Sequence, residues 1–169
     1  MKRIPLSLFT FLFLLSGLCA APTKTVWQIG EKNHSASELA LSPDKYKEFL
    51  ANDFGWEDRF YIIGLSSPQK DFPYVLPGPA DHWGGTSYTA GIRTHVLNIL
   101  FGMKEVPETD SWKLIIDLLD THHELPALFK ITINGKSWKY ALPKGSGKSI
   151  DGDYSQIKPH TIEIPLNSG

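Results

Sequence analysis

Four of the five residues in Asp120-Thr121-His122-His123-Glu124 are of metal-binding type. Zinc requires three or four ligands converging at about 2.0–2.3 Å. Neighbours along a strand point to opposite faces, so His122 and His123 do not readily share a metal if a strand persists there. The plainer reading, which we favour, is a polar turn closed by Pro126, with Asp120 or Thr121 bonding nearby backbone. GSGKS, residues 145–149, hints at a phosphate loop. It lacks the full spacing of such a loop, and no helix is expected after it. The stretch WQIGEKNHSASELAL, residues 27–41, offers oxygens from Glu31, Asn33, Ser35 and Glu38. Calcium takes six or more oxygens, usually with more than one carboxylate. The simpler expectation is that Trp27 and Ile29 enter a core, Gly30 turns the chain and the polar residues close the turn. Calcium is the one cofactor these residues would suit, and we expect none.

The best binding stretch is PYVLPGPADHWGG, residues 73–85. Sugars present flat C–H faces to aromatic rings, and a rigid ring gives contact area at small entropic cost. Tyr74, Trp83 and Tyr88 are expected to form such a platform, with Asp81, His82 and Arg93 beside them for hydroxyls. Trp56, in DFGWEDR, is a further aromatic on a turn. Against this stands a packing role, with Phe72, Tyr74 and Trp83 folded back under their own loop. Exposure of Trp83 separates the two readings.

Catalysis has less support. Proton abstraction beside a uronate carboxylate needs a base held near a group that neutralises that carboxylate. No such local constellation is visible, and the G-x-S-x-G elbow of a serine hydrolase is missing.

These candidates need a scaffold. With 169 residues the chain suits one domain with a core. Residues 1–20 read as a secretory signal peptide: Lys2 and Arg3, a short apolar run at 8–15, then small residues up to Ala20. The protein is therefore expected to be secreted or periplasmic. Lipidation at Cys19 is the less favoured route, because bulky Leu18 precedes it. Cleavage after Ala20 removes Lys2 and Arg3, turning 17 basic residues into about 15 against 18 acidic ones. The resulting mild negative charge, and the want of a basic stripe, argue against a nucleic-acid partner. No later segment is apolar enough for a membrane span. Cys19 is the one cysteine, so the domain at 21–169 has neither disulfide nor thiol chemistry.

Period-two patterning dominates that domain. Strands are expected at 25–29, 59–65, 92–103, 112–120, 127–133 and 160–166, with a return strand after Asn134-Gly135, a two-residue hairpin turn. One short helix is expected from Ser42, where Ser42 caps and Pro43 takes the first helical position. Too few helices are available for parallel crossovers, so the spacing predicts an all-β, antiparallel β-sandwich. The pattern stops after residue 166 with an edge open. Either the chain is a fragment of something longer, or its last strand lies elsewhere in the order.

Taken in order, these pieces resemble the carbohydrate-binding-like domain of rhamnogalacturonan lyases and related secreted polysaccharide-degrading proteins. WQIG with Ser37-Glu38-Leu39 looks like the family's opener. FYIIG followed by KDFPYVLPGPADHWGG looks like its glycine-ended strand and aromatic-proline loop. LIIDLLDTHHELPALFKITING and IDGDYSQIKPHTIEIPL resemble its later segments, so the likeness covers residues 25–166. Asn33 stands where the family pattern prefers Asp, and Leu39 where it prefers Phe. Beyond Gly169 the pattern would continue into a Gly-x-Asn turn and closing strands. The resemblance implies a galactose-binding-like jelly roll, a non-catalytic role, and a pectic polysaccharide as partner. Two alternatives stand beside it. One is an N-terminal piece of a polysaccharide lyase or glycosidase whose catalytic domain lies in a longer chain. The other is a domain that braces such a neighbour without touching sugar.

Overall fold

The computed structural model describes residues 24–49, 59–76, 96–104 and 112–166. Among them the strands are β1 (Arg59–Ile62), β2 (Leu97–Leu100), β3 (Trp112–Leu118), β4 (Leu128–Ile133), β5 (Lys136–Ala141) and β6 (His160–Leu166). One short α-helix, α1 (Pro68–Asp71), follows β1, and no helix among the described residues is long and apolar enough to cross a membrane. The strands pair as β1–β2, β3–β6 and β4–β5.

β3 and β6 run antiparallel, with Trp112 opposite Leu166 and Leu118 opposite His160. Along β3 the residues Trp112, Leu114, Ile116 and Leu118 turn inward, as their alternation predicts. Ile162 and Ile164 of β6 face them and are buried, Ile164 completely. β4 and β5 form a hairpin across Asn134-Gly135, whose φ values of 48° and 82° are the left-handed pair that a two-residue turn demands. Phe129, Ile131 and Ile133 of β4 face inward, with Trp138 and Tyr140 of β5 on the same side.

Three expectations are corrected. β1 and β2 are parallel, with Arg59 opposite Leu97 and Ile62 opposite Leu100. The connection over 63–96, which contains α1, has the length that a parallel crossover requires. The helix expected from Ser42 shrinks to a 3₁₀ turn at Tyr46–Glu48, where the Phe49 N–H bonds the Tyr46 carbonyl at 3.0 Å. That tight turn delivers Phe49 into a buried contact with Ala40. The proline part of that logic applies instead at Pro68, which occupies the first helical position, while Asp71 Oδ2 accepts the Ser67 N–H at 2.7 Å and the Ser67 hydroxyl makes no cap bond. Lastly, residues 25–29 form no strand. Trp27 lies with its ring centroid 5.3 Å from that of Phe101, so it packs by its side chain rather than through a backbone ladder.

The opener is nevertheless tied into the fold. Ala40 donates to the Phe72 carbonyl at 2.9 Å and accepts from the Tyr74 N–H at 3.0 Å. Edge-on packing of Tyr61 against Phe72, at 5.7 Å, links β1 to the segment that follows α1.

Candidate functional site

Tyr74 stands at the foot of the aromatic-proline stretch. Its backbone is fixed by Ala40, and its hydroxyl donates to the Ile150 carbonyl at 2.5 Å. Burial, reinforced by Tyr154, Asp151, Asp44 and Tyr46, pushes the Tyr74 hydroxyl well above the ordinary tyrosine range. It is therefore a permanent donor and no candidate base, and its ring is held half-buried. Of the other residues read as sugar contacts, Trp56, Asp81, His82, Trp83, Tyr88 and Arg93 lie outside the described residues.

The Asp120–Glu124 stretch and the GSGKS stretch, separate in the sequence reading, form one arrangement. β3 ends at Leu118, freeing Asp120 to reach across the fold. Asp120 Oδ1 accepts the Ser146 N–H at 2.7 Å, and Oδ2 accepts the Ser146 hydroxyl at 2.5 Å. The N–H groups of Lys148 and Lys158 reach the same carboxylate at 3.2 and 3.4 Å. Successive backbone N–H groups make a natural anion nest. Here the anion is the protein's own, which explains the phosphate-loop look of residues 145–149. Partial burial pushes the Asp120 carboxyl up, but the Ser146, Thr121 and Lys158 hydrogen bonds outweigh it and hold the group below its ordinary value.

Gly145 is required by this contact. A Cβ there would lie 2.2 Å from the Thr121 carbonyl oxygen and 2.3 Å from Asp120 Oδ1. The Gly145 and Gly147 N–H groups bond the His122 and Thr121 carbonyls at 3.3 and 3.1 Å, closing the seam. The expected local turn is thus a long-range clamp.

Because no strand runs through residues 120–125, the two histidines do not point apart. Their rings stack with centroids 4.8 Å apart and planes 19° from parallel. His122 Nδ1 accepts the Glu124 and Leu125 N–H groups at 3.1 and 3.0 Å, which leaves Nε2 to carry the proton of the neutral ring. Among the described residues, no three His, Cys, Asp or Glu side chains gather to hold a metal ion.

The oxygens of the opener also serve the backbone. Glu38 Oε1 accepts the Glu31 N–H at 2.7 Å, Asn33 Oδ1 the Ser35 N–H at 2.9 Å, and Ser35 Oγ the Ser37 N–H at 3.1 Å. Lys32 reaches out to Asp117 Oδ1 at 2.7 Å, with Thr161 Oγ1 donating to the same oxygen at 2.6 Å. Partial burial works against the Asp117 anion, but the Lys32 and Thr161 hydrogen bonds prevail and lower its pKa. The opener is therefore a stapled turn, with Lys32 pinning it to the β3–β6 pair.

Sequence reasoning missed the Asp120–Ser146 clamp and the Tyr74–Ile150 bond. The available signal for the first was the pairing of a lone Asp after a strand with a Gly-Ser-Gly run, two complementary halves with no visible partners of their own.

A family model described as CBM-like, polysaccharide lyase family 4, domain III, matches residues 25–165. No curated protein and no solved structure matches the chain.

Proposed function

The chain belongs to the CBM-like domain III family of polysaccharide lyase family 4, and from that membership we propose that it is a non-catalytic binding module for pectic polysaccharide, exported by its N-terminal segment and folded as a jelly-roll sandwich. The observation that carries this reading is the family match over residues 25–165, which takes in every candidate residue. The antiparallel β3–β6 and β4–β5 pairs, each with one face turned inward, support a sandwich. In this reading Trp83, Tyr88 and Trp56 stack on sugar rings, while Asp81, His82 and Arg93 take the hydroxyls. Tyr74 anchors the base of that platform through Ile150.

A ligand that binds only the native state raises the melting midpoint by mass action, by about 2.7 kcal/mol of stability at a hundred times Kd. The test is a thermal melt of the intact chain with and without rhamnogalacturonan oligosaccharides. The expected result is an upward shift that Trp83→Ala removes. A cooperative melt that never moves contradicts the binding role.

A bracing role beside a catalytic domain is the second reading. It draws on Phe60, within β1, and Leu65, just beyond it, which are 60% and 82% exposed, more apolar surface than a solvated strand needs. Under that reading Phe60→Ser leaves the oligosaccharide shift intact and weakens association with the neighbouring domain.

A further inference from the structure

The outward face of the β4–β5 hairpin carries an unusual row. Leu128 opposes Ala141, Lys130 opposes Lys139, and Thr132 opposes Ser137. All six residues are exposed. The two-residue turn makes Ile133 and Lys136 a hydrogen-bonded pair, and antiparallel pairs alternate from there. Thr132–Ser137 and Lys130–Lys139 are then the non-hydrogen-bonded pairs, whose side chains stand closer together. The hydroxyls of Thr132 and Ser137, 2.8 Å apart, display that closeness.

Like charges directly opposite across a strand pair destabilise it. Here the two ammonium groups have no relief, because among the described residues neither Lys130 nor Lys139 has an acidic partner. Elsewhere on the same domain outward charges are answered: Lys113 by Glu163 at 3.2 Å, and Asp117 by Lys32. Lysines on short sheets also discourage pairing with another chain, but that role does not require two of them to be opposed.

The geometry points to this face as a binding surface for a polysaccharide that carries carboxylates. The two ammonium groups take a carboxylate between them. The hydroxyl pair, one step of roughly 6.6 Å along the strands, meets sugar hydroxyls. Leu128, 67% exposed and one step the other way, meets an apolar ring face. Its residues are other than those of the aromatic-proline stretch, and the inference rests on the proposed polysaccharide-binding role.

The test compares the intact chain with Lys130→Gln/Lys139→Gln and with Lys130→Glu, which converts the opposed cations into an ion pair. The probes are a galacturonate oligomer and the same oligomer with its carboxylates methyl-esterified. The wild type is expected to bind the free acid more tightly than the ester, with affinity falling as salt rises. Both variants are expected to lose roughly tenfold in affinity for the acid, to lose the preference over the ester, and to melt no lower than wild type. Variants that keep the wild-type preference and salt dependence overturn the lysine surface while leaving the binding role standing. A wild type that binds neither oligomer overturns the lysine surface, and a melt that also fails to move with rhamnogalacturonan oligosaccharides overturns the binding role with it.

Discussion

The β3–β6 and β4–β5 pairs share an antiparallel register and the same inward–outward alternation, yet their outward faces treat charge in opposite ways. On β3–β6, Lys113 reaches diagonally to Glu163, and Asp117 is held by Lys32 and Thr161. That face is neutralised from within the molecule, and the opener is stapled to it. On β4–β5, Lys130 and Lys139 stand opposed without an acid among the described residues. Their inner faces differ too. Ile162 and Ile164 of β6 are buried, whereas the inward residues of β4 and β5 all keep some exposure to solvent. One pair has its outward charges answered and a buried inner face, and the other has neither. The alternation of residue types makes a strand pair, but the company its outward charges keep decides what the pair is for.

The comparison can be broken first at the core. Ile164→Ala is expected to cost about 2–5 kcal/mol, because a fully buried side chain is lost and a cavity is left. Ile131→Ala in β4 is expected to cost about half as much, since its side chain is only partly removed from water. Chemical denaturation of the two variants measures this, and equal losses would erase the distinction between the two inner faces.

The clamp between the two regions comes next. Asp120→Asn is expected to destabilise by about 2 kcal/mol, because its NH2 would face the Ser146 hydroxyl and the Lys148 N–H in place of Oδ2, or the Ser146 and Lys158 N–H groups in place of Oδ1. Its pH dependence carries a sign. The folded Asp120 pKa is lowered, so the stabilisation is fully present above the unfolded aspartate value of about 3.9 and is lost as pH falls through the folded value. Acid unfolding of the wild type should therefore steepen in that window, and Asp120→Asn should flatten it. A variant with the wild-type acid profile would mean that the clamp carries no weight.

The surface charges give the smallest effects. Lys113→Gln is expected to cost about 0.2–1 kcal/mol, and less at high salt. Lys130→Glu is expected to add about 0.2–1 kcal/mol by giving Lys139 an opposite charge. Opposite signs in paired melts would sharpen the contrast between the faces, and matching signs would remove it.

Local chemistry made part of the fold legible. Asn134-Gly135 announces a turn because both residues tolerate the left-handed region, and strict alternation in 112–118 and 160–166 leaves one inward face for each strand. Features that depend on distant partners were not legible. Residues 25–29 have strand composition but find a ring partner, Phe101, instead of a ladder. β1 pairs in parallel with β2, and the helix between them, at Pro68–Asp71, is too short for periodicity to reveal. Asp120 looked local because the Ser146, Lys148 and Lys158 donors that hold its carboxylate lie 26 to 38 residues away along the chain. At the candidate site, aromatic composition drew attention to Tyr74, but nothing near it in sequence signals that Ile150 holds its hydroxyl.

Polysaccharide recognition by this family member is the central claim, and a tryptophan fluorescence titration of the intact chain with rhamnogalacturonan oligosaccharides tests it most directly. The five tryptophans include the expected stacking residues Trp83 and Trp56. A saturable change in emission that is absent from Trp83→Ala is the predicted result. Emission that stays flat up to millimolar oligosaccharide, in a chain that melts cooperatively, would contradict it.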